Sequence, residues 1–81
     1  MNYFVYILRC KDGSFYVGST NNLEKRLLRH NTSKSGAHYT KIRRPVALVY
    51  SETFSTFREA RQREIKLKGL KREKKLDLIN N

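Results

Sequence analysis

The chain has 81 residues, with 18 Lys and Arg against 7 Asp and Glu, for a formal net charge of +11 and a pI near 10.2. That length supports one small core and hence a single domain, 1–81, while the lone cysteine, Cys10, excludes a disulfide framework within the chain and, with only two histidines, any zinc-finger spacing. No apolar run approaches the roughly 18 residues of a membrane span, and the N-terminus lacks a signal-peptide layout, so a cytoplasmic protein without membrane contact is expected. The positive excess attracts polyanions, with nucleic acid ahead of anionic membrane and acidic protein.

Tyr3 to Arg9, YFVYILR, is aromatic and β-branched with both alternate faces apolar, which predicts a central strand covered on two sides. Asp12-Gly13 then separates it from a second strand, Ser14 to Ser19, as in a β-hairpin. Two registers are open. A two-residue turn pairs Leu8 with Val17 and puts Tyr6 and Tyr16 on opposite faces. A three-residue loop with left-handed Gly13 pairs Leu8 with Tyr16 and puts Tyr6, Leu8, Tyr16 and Gly18 on one face.

A helix is predicted next, capped by Asn21 with Glu24 three residues on, with Leu23, Leu27 and Leu28 as its apolar stripe to about Asn31. Thr32 to Pro45 lacks periodicity and carries Lys34, Lys41, Arg43 and Arg44, so it reads as a basic loop. Val46 to Glu52 is a third strand starting after Pro45. Thr56 and Glu59 open a second helix, with Phe57, Ala60 and Leu67 on its buried face and Gly69 as its stop. A last short helix spans about Lys71 to Ile79, with Leu76 and Ile79 three apart. The order β-β-α-β-α-α predicts an α+β fold, a small three-stranded antiparallel sheet covered by helices.

Two features break the pattern of a plain core, and such breaks are where function is expected. Glu64 falls on the buried stripe of its helix, where an unpaired carboxylate costs several kcal/mol. An ion pair with Arg61 or Lys68, a helix rotated to let Glu64 reach water, or a metal ion would each resolve it. The second feature groups tyrosines on the hairpin with Arg26 and His30, which lie four apart on one face of the following helix. A strand tyrosine is ordinarily half-buried core, and Arg26 and His30 on a helix are ordinarily surface residues. Together they offer a guanidinium fork that matches phosphate oxygens and groups able to move a proton beside it. Residues 58 to 75 hold nine Lys or Arg against three Glu, too few acids to neutralise that face.

Phe4-Val5-Tyr6, then Tyr16-Val17-Gly18, Arg26 and His30 on the next helix and Glu64 on a later one resemble the GIY-YIG nuclease domain. The TNNLEKRLLRHN and YTKIRRPVALVY stretches and the Glu59-Ala60 to Glu64 spacing resemble its small single-domain bacterial branch. The resemblance implies a metal-dependent endonuclease acting on nucleic acid, DNA ahead of RNA. It implies Tyr6, Tyr16, Arg26 and His30 as catalytic residues and Glu64 as ligand to one Mg²⁺ or Mn²⁺. Gly18 corresponds to the second-motif glycine, expected to keep the floor of the site open. Lys34, Lys41, Arg43, Arg44, Arg61 and Lys68 are expected to hold the nucleic-acid backbone. The sequence departs from the family pattern at Phe4, in place of the first-motif glycine, and at Ser19, where several relatives carry lysine. The competing expectation is a non-catalytic DNA- or RNA-binding module with a vestigial nuclease site, and a basic accessory subunit on an acidic protein comes third.

Overall fold

A computed structural model of the chain describes residues 2–32 and 38–80. Because both alternate sets of its side chains are apolar, Tyr3–Arg9 (β1) takes the middle of the sheet. It pairs antiparallel with Phe15–Thr20 (β2) on one side and Ala47–Phe54 (β3) on the other, giving the order β2-β1-β3. The hairpin takes the three-residue register. Gly13 is left-handed (φ 84°), its amide bonds the Cys10 carbonyl at 2.9 Å, and Leu8 faces Tyr16 while Tyr6 faces Gly18. β3 runs two residues beyond the expected Glu52, and a bulge shifts its register against β1 between Ile7 and Leu8.

Each face of β1 feeds its own core. Val5, Ile7 and Val17 pack with Ala60 and Leu67 of Phe57–Lys68 (α3) and with Leu78 and Ile79 of Arg72–Asn80 (α4). Tyr6, Leu8, Cys10 and Val46 pack with Tyr16 and with Leu23 and Leu27 of Leu23–Thr32 (α1). The architecture is thus the expected α+β fold, an open antiparallel sheet with helices over both faces.

Local details differ from the pattern. The cap of α1 is Asn22, one residue later than Asn21, with its Oδ1 accepting the Lys25 amide at 3.0 Å. Leu28 is exposed because positions 23, 27 and 30 fall on the sheet-facing stripe, and in α4 Lys75, Leu78 and Ile79 turn inward while Leu76 stays outside. Within the expected basic loop, His38–Lys41 forms a short helical turn (α2), and residues 33–37 lie outside the described part. Thr56 caps α3 as expected, its hydroxyl accepting the Glu59 amide at 3.2 Å, and Gly69 closes the helix in the right-handed region. Asn31 joins α1 to the start of β3: its amide donates to the Val46 carbonyl at 3.0 Å and accepts the Val46 amide at 2.8 Å.

Candidate active site

Alternation along β1 and β2 puts the Tyr6 and Tyr16 side chains on the face covered by α1, and the 3.6-residue period of α1 turns Arg26 and His30 toward the same face. The Tyr6 hydroxyl lies 3.0 Å from His30 Nε2, and His30 Nδ1 lies 2.7 Å from the Thr40 hydroxyl of α2. The His30 ring meets Tyr16 edge-on at 5.1 Å and Tyr6 at 5.9 Å. Helix position 30 was expected at the surface, yet His30 is only 2% exposed, because it continues the Leu23–Leu27 stripe one turn further.

Burial sorts these side chains into two depths. Tyr6 (2% exposed), His30 and Thr40 lie beneath the surface, whereas Tyr16 and Arg26 are half-buried and reach it. Burial above all, then the Tyr16 phenol, drives the Tyr6 pKa far above the ordinary phenol value, and the Arg26 guanidinium, by its charge and then by a hydrogen bond, only partly offsets this. Tyr6 is therefore a neutral phenol. Burial, followed by the guanidinium charges of Arg26, Arg44 and Arg29, pushes His30 below the ordinary histidine value, so the imidazole is held neutral as well.

Gly18 lies opposite Tyr6, and its missing side chain serves that ring. A Cβ built there would sit 2.6 Å from Tyr6 Cζ and closer still to the hydroxyl. The expected open floor is instead filled by the phenol.

Glu64 comes from α3, on the other side of the sheet, and is 4% exposed. Its Oε1 accepts from the Ser19 hydroxyl at 2.6 Å and from Arg61 at 3.1 Å, and its Oε2 is 2.7 Å from Lys68 Nζ. Burial pushes the carboxyl upward, but the hydrogen bonds from Lys68, Ser19 and Arg61 outweigh it and hold Glu64 ionised below the ordinary range. Its charge still reaches the Tyr6 phenol, where it adds to the upward shift. Ser19 thus has a part that the sequence did not suggest: it fastens the carboxylate to β2.

The cations expected on a nucleic-acid backbone are differently disposed. Arg43 pairs with Asp12 at 3.0 Å, Arg44 donates to the carbonyls of Arg29 and His30 at the end of α1, and Arg61 and Lys68 hold Glu64. Lys41 is exposed on α2, and Lys34 falls outside the described residues.

A family model described as the GIY-YIG catalytic domain matches residues 2–77. Over all 81 residues the chain is 57% identical to the UPF0213 protein CPE1444 of Clostridium perfringens, covering 85% of that protein. It is 55% identical to the UPF0213 protein YazA of Bacillus subtilis, over 91% of this chain and 74% of the relative. Among solved structures, the solution NMR structure of the UPF0213 protein BH0048 from Bacillus halodurans matches with a TM-score of 0.62 and 44% identity, covering 99% of this chain and 84% of that one. Among the described residues no helix is long and apolar enough to cross a membrane.

Proposed function

Because the chain belongs to the GIY-YIG catalytic-domain family, whose members are nucleases, we propose that it hydrolyses a phosphodiester bond of nucleic acid, DNA ahead of RNA, where Tyr16 and Arg26 reach the surface. The observation that carries this reading is the two-depth arrangement itself: a phenol and a guanidinium at the surface, held from below by a buried Tyr6–His30–Thr40 chain. Apolar side chains of the same shape could replace the three linked polar groups at nearly no net cost, so stability alone does not require them there.

In this mechanism Arg26 hydrogen-bonds the phosphate oxygens and stabilises the charge that develops on them. Tyr16 takes the proton of the attacking water, a task for which a phenol needs positive charge nearby. Tyr6 and His30 are positioning residues. Because Arg26 already donates to the Tyr6 oxygen, the Tyr6 O–H is assigned as donor to His30 Nε2, which puts the His30 proton on Nδ1, facing the Thr40 hydroxyl. That chain holds the imidazole edge against Tyr16 and the Tyr6 oxygen toward Arg26.

GIY-YIG nucleases generally use divalent metal ions, and the donor set here is compatible with one. Among the described residues no three His, Cys, Asp or Glu side chains gather to form a cage, but Mg²⁺ is commonly held by one or two carboxylates with water and substrate phosphate completing its shell. Glu64, kept ionised by its neighbours, would hold the ion, Mg²⁺ or Mn²⁺. When bound, the metal supplies Lewis-acid stabilisation of the phosphate charge.

One observation favours a second reading, a nucleic-acid-binding module without catalysis: both Glu64 oxygens already accept hydrogen bonds inside the protein. Incubation with Mg²⁺ or Mn²⁺ on single-stranded, duplex and branched DNA and RNA separates the two. Metal-dependent product from the wild type, absent with Glu64→Ala, supports the nuclease; binding with no product from any substrate supports the module.

A further inference from the structure

Four of the cations that the sequence assigns to the nucleic-acid backbone are engaged within the fold, on Asp12, on the α1 carbonyls and on Glu64. A different set gathers around open space. Lys25 and Arg29, four apart on α1 and both exposed, stand with Arg26 around a groove of about 110 Å³ whose other walls are Thr20, Asn21 and Asn22. No carboxylate lines this groove, and among the described residues none of the three cations forms an ion pair. The Lys25 amide, at the start of the helix, is already taken by Asn22 Oδ1, so what the groove offers an anion is side-chain charge.

Arg26 lines this groove and also the small pit formed with Tyr6, Leu8, Leu23, Leu27 and Leu48. The groove therefore adjoins the phenol group. Its walls carry hydroxyl, amide and cationic side chains and no aromatic ring, a surface that can bond phosphate oxygens and cannot stack a base.

We propose that the groove between the end of β2 and α1 holds the phosphodiester backbone next to the scissile phosphate, with Lys25 and Arg29 each contacting a non-scissile phosphate. The contacts supply affinity and direction to the strand without reading its sequence. This rests on the nucleic-acid reading above and adds residues that the motif pattern does not include.

The test is equilibrium binding by fluorescence anisotropy in EDTA, so that no metal-dependent cleavage intervenes, on labelled DNA of two unrelated sequences across a salt series. Compared are the wild type, Lys25→Ala/Arg29→Ala, and Lys11→Ala/Lys66→Ala, which loses the same net charge elsewhere. Losing two phosphate contacts reduces the slope of log K against log salt by about 1.4–1.8. The groove variant is expected to show that reduction and to weaken equally on both sequences, while the control keeps the wild-type slope. A groove variant with the wild-type slope, or a control that falls as far, overturns the groove and leaves the nucleic-acid reading standing. A wild type that binds neither these DNAs nor a labelled RNA run in the same salt series overturns both. Circular dichroism confirms that each variant is folded.

Discussion

Gly18 is set by its neighbour rather than by its own backbone, since the only left-handed residue among those described is Gly13. The Tyr6 ring above it is pinned by His30 and cannot swing aside without breaking the buried chain. Gly18→Ala is accordingly expected to cost about 1–3 kcal/mol, read as a lower urea midpoint, and to break the Tyr6–His30 bond. Thr40 gives a second test at this scale. Long-range ¹H–¹⁵N NMR of the wild type is expected to show His30 protonated on Nδ1; Thr40→Val should move the proton to Nε2, and Thr40→Ser should leave it on Nδ1. Wild-type protein with the proton on Nε2 would contradict the hydrogen-bond direction assigned here. At this scale Tyr6 and Tyr16 were legible, because a strand period of 2 and the turn chemistry of Gly13 leave few registers. Thr40 was not, because its partner lies ten residues away across a segment with no periodicity.

Among the elements, β1 was the most readable, since an apolar run on both alternate faces has little choice but the middle of a sheet. Helix faces were harder. In α1 the stripe of three leucines suggested that Leu28 turns inward, but the stripe that packs is 23, 27 and 30, which buries a histidine and exposes a leucine. The signal was present in the spacing, and hydrophobicity alone concealed it. The two-way bond between Asn31 and Val46 was not legible either, because one amide satisfies both backbone groups of a residue outside the sheet. Asn31→Ala leaves that buried N–H and C=O unpaired and is expected to cost about 1–3 kcal/mol, with faster amide exchange at Val46 and along the start of β3.

For the molecule as a whole, charge governs both stability and partnership. His30 is held neutral by burial and by three arginines, so its folded pKa lies below the ordinary 6.5 of an unfolded chain. Its contribution is complete above that ordinary value and is lost as pH falls through the lowered folded one. Glu52 acts in the same direction at lower pH: bonded twice by Arg63 and once by Tyr50, its carboxyl is held below the ordinary glutamate range despite its burial. Urea midpoints are therefore expected to fall as pH drops from 7.5 toward 5, and to fall again in the more acidic range where Glu52 titrates. His30→Asn should flatten the first decline and leave the second. A wild-type midpoint unchanged between pH 7.5 and 5 would contradict the neutral imidazole.

The excess of +11 has separate roles within this fold. Part of it ties elements together, as Arg43 does with Asp12 and Arg44 with α1, and part keeps one buried carboxylate ionised. What remains around α1 faces outward beside Tyr16 and Arg26, which is the distribution expected of a protein that binds a phosphate chain and acts on one of its links. The proposed function assigns Arg26 and Glu64 to phosphodiester cleavage. Its most direct test is the single-turnover rate of DNA cleavage in Mg²⁺, with saturating protein, for the wild type, Arg26→Ala and Glu64→Ala. Metal-dependent product is expected from the wild type and a loss of at least about 100-fold in rate with each variant, the size typical of removing one charge-stabilising group, with folding retained by circular dichroism. Cleavage by folded Arg26→Ala or Glu64→Ala at the wild-type rate would remove that residue from the reaction.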